Sequence, residues 1–65
     1  MTLKNRLKEL RAREKMSQQE LADKSGVSRQ MISLIERGKV EPSIVVALKL
    51  SRVFDEKTDD IFSIF

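Results

Sequence analysis

The sequence predicts an all-α fold, a compact bundle of five short helices forming one small domain over residues 1–65. Three observations predict it. Leucine, isoleucine and valine recur at three- and four-residue spacing through most of the chain, which is the period of one helix face. Serine or threonine heads four of these segments, at Ser17, Ser28, Ser43 and Thr58. There a side-chain oxygen can accept an otherwise unpaired N–H of the first turn. Finally, no alternating strand pattern occurs before the last few residues.

Helix one is expected over about residues 3–14. Leu3, Leu7 and Leu10 fall on one face, Ala12 makes a small contact, and Lys4, Arg6, Lys8, Arg13 and Lys15 occupy the others. Glu9 and Arg13 are spaced for an i,i+4 pair worth a few tenths of a kcal/mol. Met16 packs under the following turn. Helix two, residues 18–25, starts with Ser17 and Glu20 at capping-box spacing, so that each side chain can satisfy the other's free N–H. Leu21 and Ala22 are its apolar face. Gly26 ends it with a residue that takes positive φ without a Cβ penalty. Val27 follows, and Ser28 caps helix three, residues 29–37. That helix places Ile32 and Ile35 on one side and Arg29, Gln30 and Ser33 on others, and stops at Gly38. Two short helices joined by a glycine-containing turn of three to four residues form the helix-turn-helix plan, here at about residues 17–37.

Residues 38–42 form a loop, because Pro42 drives Glu41 out of helical geometry. Ser43 caps helix four, residues 44–54. Its apolar residues Ile44, Val46, Ala47, Leu48, Leu50, Val53 and Phe54 make more than one stripe, which predicts burial over much of its circumference. Lys49 and Arg52 mark the wet side, with Val45 exposed near them. After a turn at 55–57, Thr58 caps a last short helix, residues 59–63, with Asp59 and Asp60 favourably placed against its dipole. The chain closes on Ile61, Phe62, Ile64 and Phe65, an apolar cluster that makes 61–65 a candidate dimerisation tail. Ile61 and Phe62 are expected to turn inward, with Ile64 and Phe65 nearer a partner copy.

Composition narrows the chemistry. A chain of this size buries only about 60% of its unfolded surface. With no cysteine and no histidine, neither a disulfide nor a zinc site can supplement its core. Stability therefore rests on helix packing or dimerisation. No histidine, cysteine, glycine-rich phosphate loop or converging carboxylate pair points to an enzyme, and no cofactor is expected. No apolar run approaches the roughly 18 residues of a membrane span. The N-terminus lacks the apolar stretch and cleavage site of a secretory signal, so the expected location is the cytoplasm. The net charge is +3, unevenly spread. Residues 1–15 carry six basic and two acidic side chains, a local +4. Residues 55–65 carry one basic and four acidic ones, a local −3. The acidic end is ill suited to a polyanion and the basic helices are suited to one.

The stretch MSQQELADKSGVSRQMISLIERGK, with Met16 where leucine is usual, resembles the phage repressor/Cro-like helix-turn-helix proteins, the XRE family. PSIVVALKLSRVF and DDIF extend the resemblance to short prokaryotic single-domain members, from Leu3 to Phe62. It implies sequence-specific binding of double-stranded DNA by a small transcriptional regulator, a repressor, with helix three in the major groove. It also implies particular roles. Gln18 bonds a phosphate and braces the recognition helix. Ser28, Arg29, Gln30 and Leu34 read base edges. Arg37 and Lys39 touch the backbone. Arg11 and Glu36 form a largely buried salt bridge between helices one and three.

The residue chemistry agrees. Helix-turn-helix proteins put the N-terminal residues of the second helix at base edges. Arginine can pair with guanine and glutamine with adenine through two hydrogen bonds each. Ser17, Gln18, Ser33, Arg37 and Lys39 are types that hold phosphates. Leu34 departs from the usual polar residue, and two roles stand open: contact with a thymine methyl, or core. Met31 faces the same choice, between core and solvent or DNA backbone. Asp55-Glu56-Lys57-Thr58 also departs from the family, which more often has a glycine there.

The partner expected is a palindromic operator bound by a homodimer, because two-fold symmetry doubles the few contacts of one unit. No small-molecule ligand domain is expected. The alternative function is a protein-interaction module, such as an antitoxin-like or bridging partner.

Overall fold

The computed structural model describes residues 2–64. Seven elements follow in order: β1 (Leu3–Asn5), α1 (Leu7–Arg13), α2 (Gln18–Ser25), α3 (Arg29–Glu36), α4 (Ile44–Phe54), α5 (Thr58–Ile61) and β2 (Phe62–Ile64). The five expected helices are present, and a small sheet accompanies them. β1 and β2 pair antiparallel, Leu3 opposite Ile64, Lys4 opposite Ser63 and Asn5 opposite Phe62. The all-α expectation is corrected to a helical bundle whose two ends are joined by a short ladder.

The ladder also corrects helix one, which begins at Leu7 rather than residue 3. The Asn5 side chain stops the helix from extending backwards. Its Oδ1 accepts from Leu7 N–H at 3.1 Å, and its Nδ2 donates to the Ile35 carbonyl at 3.0 Å. Asparagine competes with helical geometry through such local bonds. The Arg6 N–H donates to the Ile61 carbonyl at 2.9 Å, so the chain leaves the ladder already tied to α5. Leu3 still packs on the core, from a strand instead of a helix.

Serine caps place the next three helix starts where expected. Ser17 Oγ accepts from Glu20 N–H at 3.0 Å and Glu20 Oε1 accepts from Ser17 N–H at 3.0 Å, completing the capping box. Ser28 Oγ accepts from Met31 N–H and Ser43 Oγ from Val46 N–H, each at 3.1 Å. Thr58 is not a cap. It is the first residue of α5, Lys57 holds the cap position, and no side chain bonds there.

At the other ends, four residues take left-handed backbone: Lys15 (φ 54), Gly26 (φ 76), Gly38 (φ 71) and Asp55 (φ 53). After α3 the Gly38 N–H donates to Ile35 and the Lys39 N–H to Leu34, the paired bonds that close a helix C-terminus. Nothing crowds a Cβ at Gly26 or Gly38, so the positive φ alone favours glycine there. Asp55 serves the same turn after α4, which accounts for the missing glycine: a short polar side chain tolerates this region better than most.

The core gathers Leu7 and Leu10 from α1, Leu21 and Ala22 from α2, and Val27 from the turn. Ile32 and Ile35 come from α3, Ala47, Leu50 and Phe54 from α4, and Ile61 and Phe62 from the end. Each fully buried leucine or isoleucine contributes about 1.5–3 kcal/mol. Ser51 is the one buried polar residue among those described, and its hydroxyl donates to the Ala47 carbonyl at 2.7 Å.

Two burial expectations fail. Ala12 is exposed. α4 is not buried around its circumference: Ile44 and Leu48 are 68% and 49% exposed, while Val45, expected to be exposed, is 56% exposed. Apolar composition alone does not say whether a helix has neighbours on one side or two. No helix among the described residues is long and apolar enough to cross a membrane.

Candidate nucleic-acid interface

α3 is held by one side and open on the other. Ile32 and Ile35 are buried, and Met31 is half-buried and packed against the core. Arg29, Gln30 and Arg37 are exposed, and Ser33 is half-buried between them. Positions 29, 33 and 37 follow the i,i+4 rule, so they share one line along the helix surface. Leu34 is half-buried and is not among the side chains packed on the core, while Met31 is. Its carbonyl accepts the Lys39 N–H at 2.9 Å.

The only acid in α3, Glu36, is turned inward. Its carboxylate takes two bonds from Arg11, Nε to Oε2 at 2.7 Å and Nη2 to Oε1 at 2.9 Å. The side chains of Arg11 and Glu36 are 14% and 5% exposed, as the salt bridge implied by the resemblance requires. Arg11 Nη1 also donates to the Met16 carbonyl at 3.0 Å, closing the turn between α1 and α2. The hydrogen bonds to Glu36 hold the Arg11 guanidinium above its ordinary pKa against the opposing cost of burial. A bidentate arginine–carboxylate pair fixes direction as well as distance, so α3 is oriented by a rigid brace.

Gln18 belongs to that brace. Its Nε2 donates to Glu36 Oε1 at 3.2 Å across the helix-turn-helix. The side chain is half-buried, with its carbonyl oxygen left for another donor. The Ser17 and Ser28 hydroxyls accept backbone N–H groups and keep their own protons to donate. Arg37 Nε lies 3.4 Å from the Ser33 carbonyl, folded back along the helix. Lys39 is exposed on the loop just after α3.

The pairing of cations locates the positive surface. Arg6 bonds Glu9, and Arg13 bonds Glu14 and Glu56. The Glu9–Arg13 helix pair expected from spacing is replaced by these. Bonding to Arg6 holds the Glu9 carboxyl below its ordinary range. Arg6, Arg11 and Arg13 are thus neutralised locally, which leaves Lys8 and Lys15 as exposed cations of residues 1–15 with no ion pair among the described residues. Arg29, Arg37 and Lys39 form no ion pair among the described residues. In the helix-turn-helix and the loop that follows, the cations without an ion pair among the described residues are Lys24 of α2, Arg29 and Arg37 at the two ends of α3, and Lys39.

Of the tail residues, Ile61 and Phe62 are 1% and 9% exposed and belong to the monomer core, which removes them from any interface surface. Ile64 is 64% exposed. Phe65 lies outside the described residues. Sequence reasoning missed Asn5, whose bond to the Ile35 carbonyl steadies the C-terminal end of α3. The available signal was an asparagine two residues before a helical leucine, a common Asx-turn spacing. No cluster of His, Cys, Asp or Glu among the described residues could hold a metal ion.

Comparison with known proteins points the same way. A helix-turn-helix family model matches residues 7–61. An uncharacterised HTH-type transcriptional regulator of Archaeoglobus fulgidus is 47% identical over 60 residues, covering 92% of this chain and 84% of that protein. Another from Methanocaldococcus jannaschii is 48% identical, covering 92% and 91%. YgzD of Bacillus subtilis, also an uncharacterised HTH-type transcriptional regulator, is 45% identical with the same coverages. Among solved structures, the restriction-modification controller protein C.AhdI from Aeromonas hydrophila superposes with a TM-score of 0.80 at 38% identity. The match covers 85% of this chain and 83% of that one.

Proposed function

Because the chain belongs to the XRE-type helix-turn-helix family of DNA-binding transcription regulators, we propose that α3 is its recognition helix and reads base edges in the major groove. The protein is a DNA-binding regulator and not an enzyme. The observation that carries the finer reading is the asymmetry of α3. One face is locked by Ile32, Ile35 and the Arg11–Glu36 brace, and the other presents Arg29, Gln30 and Arg37 with no outward carboxylate.

In this reading Arg29 and Gln30 make the bidentate base contacts. Ser28 and Leu34 complete the base-reading set, Leu34 against a thymine methyl at the edge of the helix. Ser17, Gln18, Ser33, Arg37 and Lys39 hold phosphates. Gln18 does two jobs: one N–H of its amide stays on Glu36 and braces α3, and the other donates to a phosphate oxygen. The protein acts as a homodimer on a palindromic operator, in the cytoplasm, and represses by occupying it.

Selection of bound sequences from random duplex DNA tests this reading. Two inverted half-sites about one helical turn apart are expected. Arg29→Ala or Gln30→Ala should cost about 1–3 kcal/mol in binding and relax preference at one base position. An Arg29→Ala protein with unchanged affinity and preference would remove α3 as the reader.

A further inference from the structure

α2 and α4 pack against each other, and toward their C-terminal ends they enclose a groove of about 290 Å³. Lys24, Ser25, Lys49, Arg52 and Val53 line it. The three basic side chains are exposed, and none forms an ion pair among the described residues. Val53, half-buried against the core, is the apolar part of the lining. The Ser25 hydroxyl is occupied locally, accepting from the Val27 N–H and donating to the Ala22 carbonyl. No acidic residue among those described lines the groove. The acids of α2 are engaged elsewhere: Glu20 accepts from the Ser17 N–H at 3.0 Å and Asp23 from the Gln19 amide at 2.9 Å.

Cations near a helix C-terminus offset its dipole, and Lys24 and Arg52 lie in last turns. That accounts for only part of the charge. Two C-termini contribute on the order of −0.5 each, about −1 together, against three positive side chains, so an excess of about +2 remains. Gathering like charges is unfavourable for the fold itself, and Arg6, Arg11 and Arg13 each have a glutamate beside them. The excess calls for an anion from outside the chain. None of the residues assigned to bases or phosphates borders the groove. A DNA backbone also offers no hydrogen-bond donor, whereas the ends of α2 and α4 leave carbonyls with no intrahelical partner. A polypeptide supplies both kinds of group, acidic side chains for the cations and N–H groups for the carbonyls, and an apolar side chain beside the acids covers Val53.

We infer that the groove between α2 and α4, lined by Lys24, Lys49, Arg52 and Val53, docks an acidic segment of another protein that brings carboxylates with an apolar residue among them. The site shares no residue with the proposed DNA contacts, so it can be filled while duplex DNA is bound. It gives this small chain a means of joining a DNA sequence to a protein without giving up a base contact.

Fluorescence anisotropy with a short labelled peptide of glutamates interspersed with leucine tests it on the full chain, with circular dichroism as the control for folding. The wild type should bind this probe, less tightly as salt rises, and should not bind the same peptide with glutamine in place of glutamate. Lys24→Gln combined with Lys49→Gln should weaken probe binding about tenfold. Lys8→Gln combined with Lys15→Gln removes the same charge from α1 and the turn after it, and should bind the probe like the wild type. No binding by the wild type, or an equal effect of the two pairs, would overturn the inference. Duplex DNA is the second arm. There the Lys24 and Lys49 pair should leave the slope of log affinity against log salt unchanged, and a slope reduced by about 2 per subunit would assign the groove to phosphates instead.

Discussion

Glu36 shows how much one side chain can decide here. It is the sole carboxylate of α3, it is nearly buried, and it takes bonds from both Arg11 and Gln18. Removing it strands the Arg11 guanidinium in a site with little water. Glu36→Ala should therefore cost about 3 kcal/mol, which in a domain of this size lowers the melting temperature by more than about 10 °C. Thermal denaturation followed by circular dichroism measures it, and an unchanged melting curve would mean the pair is not buried in solution. Lys15 makes the opposite case. It sits at φ 54 with no shape-specific role, so Lys15→Gly should stabilise by about 0.5–1 kcal/mol. The same change at Asp55 should gain less, because aspartate already tolerates that conformation. The Arg11–Glu36 pair was legible through family resemblance alone: nothing in the spacing of residues 11 and 36 says they meet. The positive φ at Lys15 was not legible at all, since lysine gives no turn signal.

At the level of elements, α2, α3 and α4 begin where their serines stand because an N-cap is a local bond, complete within four residues. The capping box also sets a pH response. The Ser17 backbone N–H, with its hydroxyl, holds the Glu20 carboxyl below its ordinary value of 4.5. The ionised form then stabilises the fold above the carboxylate range, and that contribution is lost as pH falls through the lowered value. Glu20→Gln keeps an acceptor oxygen but cannot titrate. The wild type should melt higher than the variant near pH 7, and the gap should close as the pH falls below the ordinary carboxylate range. A gap independent of pH would mean the charge plays no part. β1 shows the reverse side of locality. Three residues whose partners lie near the opposite end of the chain leave no periodic trace, and Leu3 fits a helical leucine series equally well. α4 was misjudged for a related reason: its start and length follow from Ser43 and the apolar run, but its number of neighbours is a property of the assembled molecule.

For the molecule as a whole, the informative quantity is where charge is left over after pairing, not its sum. The count of basic residues pointed to the N-terminal segment, yet Arg6, Arg11 and Arg13 are paired with Glu9, Glu36, Glu14 and Glu56, and only Lys8 and Lys15 there are exposed without an ion pair among the described residues. That bookkeeping needs three dimensions, which is why composition suggested a polyanion partner but not the surface that meets it. The leftover cations near α3 predict a salt-dependent affinity. Lys39→Ala should weaken binding to all duplexes alike and reduce the slope of log affinity against log salt by about 1 per subunit. Titrations at several salt concentrations would show it, and a parallel, equally steep line would place Lys39 away from the phosphates. The β1–β2 ladder carries a last consequence, in time rather than space. It closes the longest loop in the chain, Leu3 to Ile64, with a few backbone bonds at a solvent edge. Such a closure forms only after the helices have brought its ends together, and it opens without disturbing most of the core. Its amides should exchange with solvent well before those of α2 and α3, so the recognition helix can outlast brief opening of the two ends.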